Sequence, residues 1–222
     1  MPTRDRTLDI LGAASVLLAF GALFVGRVIM WPVAMAPGSF FERLRAEAWA
    51  WDVSHAVMTV GLVAMLAAAM ALGRALRAPG WSQWLVDLGQ ALVMLAAALG
   101  IGQFALDYAM LAAAQQPSLA GADAGAEMAE RLRHYPFIDI AFYQVANPAW
   151  IGLGLLGVAM LLRPRWWRIA GAIALAAVVV KMFESSMGPI GPRIALGIQF
   201  VGFSIAAWLI ARGPSRAPIP AG

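Results

Sequence analysis

The chain has 222 residues, 62% hydrophobic and 13% charged, with a mean hydropathy of +0.76. A soluble domain carries roughly 45–50% apolar and about 25% charged residues, so a water-soluble fold is excluded as a host for this much apolar surface. The net charge of +4 sits in short arginine clusters between apolar runs, which argues against nucleic acid as a partner, and the absence of cysteine removes disulfides, thiolate metal sites and a cysteine nucleophile.

A membrane-crossing helix needs roughly 20 mostly apolar residues. The first such run covers about residues 8–30; it follows a basic start but is too long for a signal-peptide core, and comparable runs follow it, so it reads as a retained span. Next, Ser39 and Glu42 match a capping box, and Phe41, Leu44, Ala48 and Trp51 share one helical face. This predicts a short helix lying in the outer interface with its apolar side toward lipid. The second span covers about 53–75, with Asp52 as its N-cap. The third, 84–113, is longer than a bilayer requires and is expected to tilt.

Between the third and fourth spans, Glu127 and Arg131 stand at i,i+4 spacing, as in a solvated helix leading into the fourth span; an Ala/Gly-rich mobile loop fits this stretch equally well. The fourth span covers about 137–162 and contains Pro148, whose ring crowds the carbonyl of Gln144 and predicts a kink there. The fifth and sixth cover 166–187 and 191–211, and the Pro-rich tail, 214–222, reads as a disordered cytoplasmic end. Gly152, Gly154 and Gly157, with Ala170, Gly171 and Ala174, are small enough for close helix approach.

The expected fold is therefore all-α, a polytopic bundle of six transmembrane helices within residues 1–213. Orientation follows from the basic residues. With the N-terminus inside, the inner segments hold Arg4, Arg6, Arg74, Arg77, Arg163, Arg165, Arg168, Arg212 and Arg216, nine in all, against five outside: Arg43, Arg45, Arg131, Arg133 and Arg193. The positive-inside rule then gives N-in and C-in, in the inner membrane of a bacterial cell.

Ionisable groups in a bilayer are costly and usually face a protein interior or a water-filled cavity. Here they gather toward the outer helix ends. His55 lies on one face of the second span with Asp52 and Thr59. Gln103 and Asp107 share a face of the third, Asp139, Tyr143 and Asn147 run along the fourth, and Lys181 and Glu184 are close neighbours on the fifth. Stripes that turn inward around a shared pocket avoid exposing each of them to lipid. Against this stands the structural reading of each residue: a helix cap for Asp52, a satisfied neutral histidine for His55, a buried ion pair for Lys181 with Asp107, Asp139 or Glu184. Arg27 is expected to snorkel outward to the headgroups.

Sharper chemistry finds little support. A haem or metal site would have to use His55 and His134, which no motif spacing links, so no metal ligand set is assigned. A retinal Schiff base on Lys181 would call for a seventh helix. Ser185 and Ser186 sit in no nucleophile motif. No catalytic residue and no cofactor is named by the sequence.

The segment WDVSH opening the second span and ALDYAML ending the third, with a short Arg-containing turn between those spans, resembles uncharacterised six-helix bacterial membrane proteins over roughly the first four helices. The resemblance rests on Trp51, His55 and Asp107; it implies the architecture and adds no activity. The function expected from the residues is an extracytoplasmic pocket for a small polar ligand or lipid, as in a sensor or permease-like module, lined by His55, Gln103, Asp107, Asp139, Tyr143, Asn147, Lys181 and Glu184. Two alternatives stay open. One is an intramembrane enzyme on a lipid or isoprenoid, with Asp107 or Asp139 as general acid. The other is a non-catalytic subunit of a larger membrane complex, whose polar stripes are pairing surfaces. The implied partners are membrane lipids and, for the subunit, another membrane chain or further copies of this one.

Overall fold

The structure, a computed structural model, describes residues 3–38, 40–77, 80, 82–115, 127, 131, 134–136 and 146–213. Among these the chain is all-α, without strands. The helices are α1 (Thr3–Ile29), α2 (Trp31–Met35), α3 (Phe40–Ala46), α4 (Ala48–Ala75), α5 (Ser82–Gln115), α6 (Ala146–Leu161), α7 (Arg165–Met182) and α8 (Gly191–Arg212). A 3₁₀ segment, Glu184–Ile190, joins the last two.

Four stretches, Arg6–Ile29, Ala48–Ala75, Ser82–Ala109 and Glu184–Arg212, are long and apolar enough to cross a membrane, and the chain is a membrane protein on that ground. At about 1.5 Å per residue each exceeds the roughly 30 Å hydrocarbon core. The other two long helices fall short for identifiable reasons. Arg165, Arg168 and Lys181 dilute the 18 residues of α7. Helix α6 has 16 described residues, because 137–145, where the fourth span was expected to begin, lie outside the described residues.

The six long helices close into a ring in chain order: α1 packs on α4, α4 on α5, α5 on α6, α6 on α7, α7 on α8, and α8 returns to α1. Neighbours are antiparallel. Gly12 meets Ala71 while Gly26 meets Met58 across α1 and α4, and Gly73 meets Gln90 while Gly100 meets Leu62 across α4 and α5. The interior is apolar. Phe20 stacks on Phe203 with ring centroids 4.0 Å apart, joining the first helix to the last, among buried Val16, Leu72, Val86, Leu156, Met160 and Ala174. Lipid tails are as apolar as leucine, so close packing rather than exclusion of water holds such helices together. Gly152 on α6 faces Gly89 on α5, and Gly171 on α7 faces Gly157 on α6, as the small-residue pattern predicts; Gly154 has only Val178 near it, at ordinary contact distance.

The connection between α1 and α4 differs from its expected form in two respects. Leu44 on α3 is fully buried, in a small second core with Val33, Ala50 and Trp51, so its apolar side covers α2 and the start of α4 instead of lying on lipid. Helix α4 also begins four residues before Asp52: Glu47 holds the N-cap position without a side-chain cap bond, and Asp52 is an exposed residue inside the helix. Apolar contacts of Ala50 and Trp51 with this second core extend the helix past the polar residue that looked like its boundary. The Glu127–Arg131 pair forms at 2.6 Å on the surface. Pro148 is the third residue of α6, while Gln144, Ser39 and the tail 214–222 lie outside the described residues.

Candidate functional site at one end of the ring

Antiparallel packing brings the C-terminal ends of α1, α5 and α7 together with the N-terminal ends of α4, α6 and α8. That end carries Arg27, His55, Asp107, Lys181, Glu184 and Arg193.

His55 lies two turns into α4, on the face that meets α5. Its ring is enclosed by Trp51 at 4.1 Å between centroids, Phe104 at 5.0 Å and Tyr108 at 5.9 Å. Nδ1 is 2.8 Å from the Trp51 carbonyl oxygen. A carbonyl only accepts, so Nδ1 carries the hydrogen and donates. This leaves Nε2 facing Asp107 Oδ2 at 3.4 Å, with side-chain exposures of only 2% and 6%. Two lone pairs at that separation repel. A single proton between them, held by the imidazole or by the carboxyl, makes the contact a hydrogen bond. The contact is enclosed by the aromatic rings around it and nearly closed to solvent. Tyr108 fastens the two helices beside it, its hydroxyl donating to the Asp52 carbonyl at 2.8 Å. Ser54 and Thr59 donate back to their own helix, at the carbonyls of Trp51 and His55, and the Ser54 oxygen also lies 3.4 Å from Nδ1 as a second, longer acceptor.

A second group lies where α7 gives way to the 3₁₀ segment. Lys181 donates to Glu184 Oε1, and its ammonium stands 5.9 Å from the Trp150 ring of α6. Both charged side chains are about a quarter exposed, at 23% and 24%. Glu184 Oε2 is buried with no hydrogen-bond partner among the described residues. The segment is pressed onto α8, where a Cβ on Gly191 would stand 2.7 Å from the Glu184 carbonyl oxygen. Its sharp reversal uses Gly188 at φ +60°, a conformation that suits glycine.

Arg27, at the end of α1, lies at the same end of the ring; it is half-buried and donates weakly to Met30 Sδ at 3.6 Å, with the carboxylates of Glu184 and Asp107 near enough to act on its charge. Arg193 at the start of α8 repels Arg27 and is held elsewhere, over the Trp31 ring at 4.3 Å and on the Pro189 carbonyl.

The remaining expected lining residues divide. Gln103 is half-buried one turn before Asp107 on α5. Asn147 belongs to the first turn of α6, whose chain path alone is described there, and Asp139 and Tyr143 lie outside the described residues. His134 is exposed, unlike His55. Among the described residues no three His, Asp or Glu side chains converge as a metal ligand set. One residue was overlooked: Gln199, on the buried face of α8 with Ala195, Gly202 and Phe203, is 0% exposed, and neither amide atom has a partner among the described residues. The sequence did carry a signal, since Gln199 and Ser204 are the polar residues of the run 194–211. No protein family, curated protein or solved structure matches the chain.

Proposed function

We propose that the chain is a six-span membrane protein, N-in and C-in, that binds a small polar ligand or lipid headgroup at the extracytoplasmic end of its helix ring, in the manner of a sensor or permease-like module. The cell inner membrane is the proposed location, from the arginine distribution. The carrying observation is that two contacts drawn from four elements, His55 with Asp107 and Lys181 with Glu184, lie at the same end of the ring as Arg27. Ionisable side chains within apolar helices are costly, and a buried His55–Asp107 contact beside a part-buried Lys181–Glu184 pair is what a binding site would keep. Cations and carboxylates in alternation suit a ligand bearing both charges, or an anionic group drawn to Arg27 and Lys181. Asp139, Tyr143, Asn147 and Gln103 belong to the same proposed lining.

The test is thermal unfolding of the purified protein against a panel of zwitterionic and anionic small molecules and lipid headgroups. A stabilising compound whose effect disappears in Arg27→Gln and survives in Arg212→Gln, at the opposite end, supports the reading. A response lost equally in both variants, or unaffected by either, defeats it.

The His55–Asp107 contact favours one second reading, an intramembrane enzyme using Asp107 as general acid. A carboxyl enclosed beside an imidazole, away from solvent, is the arrangement that acid catalysis on an apolar substrate calls for. Asp107→Asn separates the two: an acid catalyst loses turnover with binding kept, whereas a binding site loses affinity.

A further inference from the structure

The opposite end of the ring carries a different chemistry. A cavity of about 790 Å³ opens there, walled by the start of α1 (Leu8, Asp9), the end of α4 and the residues just after it (Arg74, Arg77), the α6–α7 turn with the first turn of α7 (Arg163 to Trp167), and the end of α8 with the residue after it (Trp208, Arg212, Gly213). Five arginines, Arg74, Arg77, Arg163, Arg165 and Arg212, face a single acid, Asp9, in this lining.

Two of the five are fixed to the protein. Arg74 binds Asp9 Oδ1 and the Leu8 carbonyl, each at 3.1 Å, and Arg163 donates to the Leu76 carbonyl. Two others lie on aromatic rings: Arg212 is 3.7 Å above Trp208 and Arg165 is 5.8 Å from Trp166, and the two indoles meet edge to face at 6.0 Å. Stacking of this kind positions a guanidinium while leaving its N–H donors free to face outward. The first turn of α7 adds its own donors, since this 18-residue helix has proline at its N-cap, no side-chain cap bond and no acidic residue in its first turn. A helix N-terminus beside several guanidinium groups is a site for an oxyanion.

The position selects the anion. All four walls lie at the ends of helices that otherwise run through apolar surroundings, which is the headgroup level of a bilayer. Leu8, Trp166 and Trp208 are exposed beside the cavity, giving an apolar flank along which acyl chains can pass. Basic pockets between helix ends at this level suit anionic lipid headgroups.

We infer that this cavity is a binding site for the phosphodiester headgroup of an anionic membrane phospholipid, held by Arg165, Arg212 and the first turn of α7. The site is separate from the His55–Asp107 end, and its test uses none of those residues.

The experiment reconstitutes the full chain in nanodiscs of phosphatidylcholine doped with a few per cent phosphatidylglycerol, and counts by native mass spectrometry the phosphatidylglycerol retained after release. Enrichment over phosphatidylcholine is expected. Basic residues at a membrane surface contribute roughly fivefold each, so the double variant Arg165→Gln/Arg212→Gln should reduce enrichment roughly twenty-fold. Neither side chain bonds a carbonyl across the fold, so its melting temperature in pure phosphatidylcholine should match the wild type. Equal retention of both lipids by the wild type overturns the inference, as does enrichment unchanged in the double variant. Displacement of the bound lipid by millimolar inorganic phosphate would assign the cavity to a soluble anion and overturn the lipid assignment. If the double variant melts early, Arg77→Gln, at an exposed position after α4, replaces it with an expected loss of about fivefold.

Discussion

His55 Nε2 and Asp107 Oδ2 meet at 3.4 Å from adjacent antiparallel helices, while His55 Nδ1 is committed to the Trp51 carbonyl. The direction of every hydrogen bond around the imidazole except one is thereby fixed, and the remaining one depends on a proton shared with Asp107. Asp107→Asn supplies an N–H donor to Nε2, so it should change folding stability by less than about 1 kcal/mol. Asp107→Leu leaves Nε2 buried without a partner from α5 and should cost about 1–3 kcal/mol. Unfolding of both variants in one detergent checks this, and a leucine variant as stable as the asparagine one would show that the contact contributes nothing.

Lys181 and Glu184 share a bond, but their environments are unequal. Glu184 also faces Arg27, with Arg193 a further cation nearby, whereas Lys181 has the Trp150 face as a second support. Glu184→Gln leaves Arg27, Lys181 and Arg193 together with one fewer counter-charge. Lys181→Gln leaves Glu184 still opposite Arg27. Both groups are about a quarter exposed, so the loss is below that of a fully buried pair: about 2 kcal/mol for Glu184→Gln and about half that for Lys181→Gln. The comparison is read from melting temperatures at fixed ionic strength, and the reverse order would remove Arg27 from the account.

Much of the fold was legible because the bilayer imposes a simple rule on length and hydropathy. Helices at 3–29, 48–75, 82–115 and 191–212 fall on the expected segments within a few residues at most ends. What misled was polarity read as a boundary. Asp52 looked like a cap, yet α4 continues past it because Ala50 and Trp51 are buried against Val33 and Leu44, a contact with no local signal. The proximity of His55 to Asp107 follows from antiparallel neighbours and was within reach of the sequence. The arrival of Glu184 at that end was not, since it depends on the 3₁₀ segment that follows α7.

Gln199 invites a test in the opposite direction. Its amide is fully buried, with neither atom paired among the described residues, and such a group costs about 1–3 kcal/mol. Gln199→Met keeps the length and removes the polar atoms, so it should raise thermal stability by about 1 kcal/mol or more. If the amide instead serves the ligand end, the same variant also loses the stabilising response to the bound compound. A variant that melts below the wild type would show that the amide has a partner beyond the described residues.

Two glycines on α6 separated by one residue give a sharp contrast. A Cβ on Gly152 would stand 2.8 Å from the Gly89 carbonyl oxygen, 2.9 Å from Val93 Cγ2 and 3.0 Å from Leu92 Cβ, so backbone as well as side chains would have to move. On Gly154 the nearest atom would be Val178 Cγ2 at 3.9 Å, an ordinary contact. Gly152→Ala should therefore cost about 1–3 kcal/mol by forcing α5 and α6 apart. Gly154→Ala meets no obstacle and restricts the unfolded chain, so it should be neutral or stabilising by up to about 1 kcal/mol. Separation of α5 from α6 would also move Asp107 relative to Trp150, because both lie beyond this contact toward the same end. The Gly152 variant should accordingly lose ligand-dependent stabilisation along with its own stability, and the Gly154 variant neither. Equal behaviour of the two would mean that close approach of these backbones is not what holds the ring together.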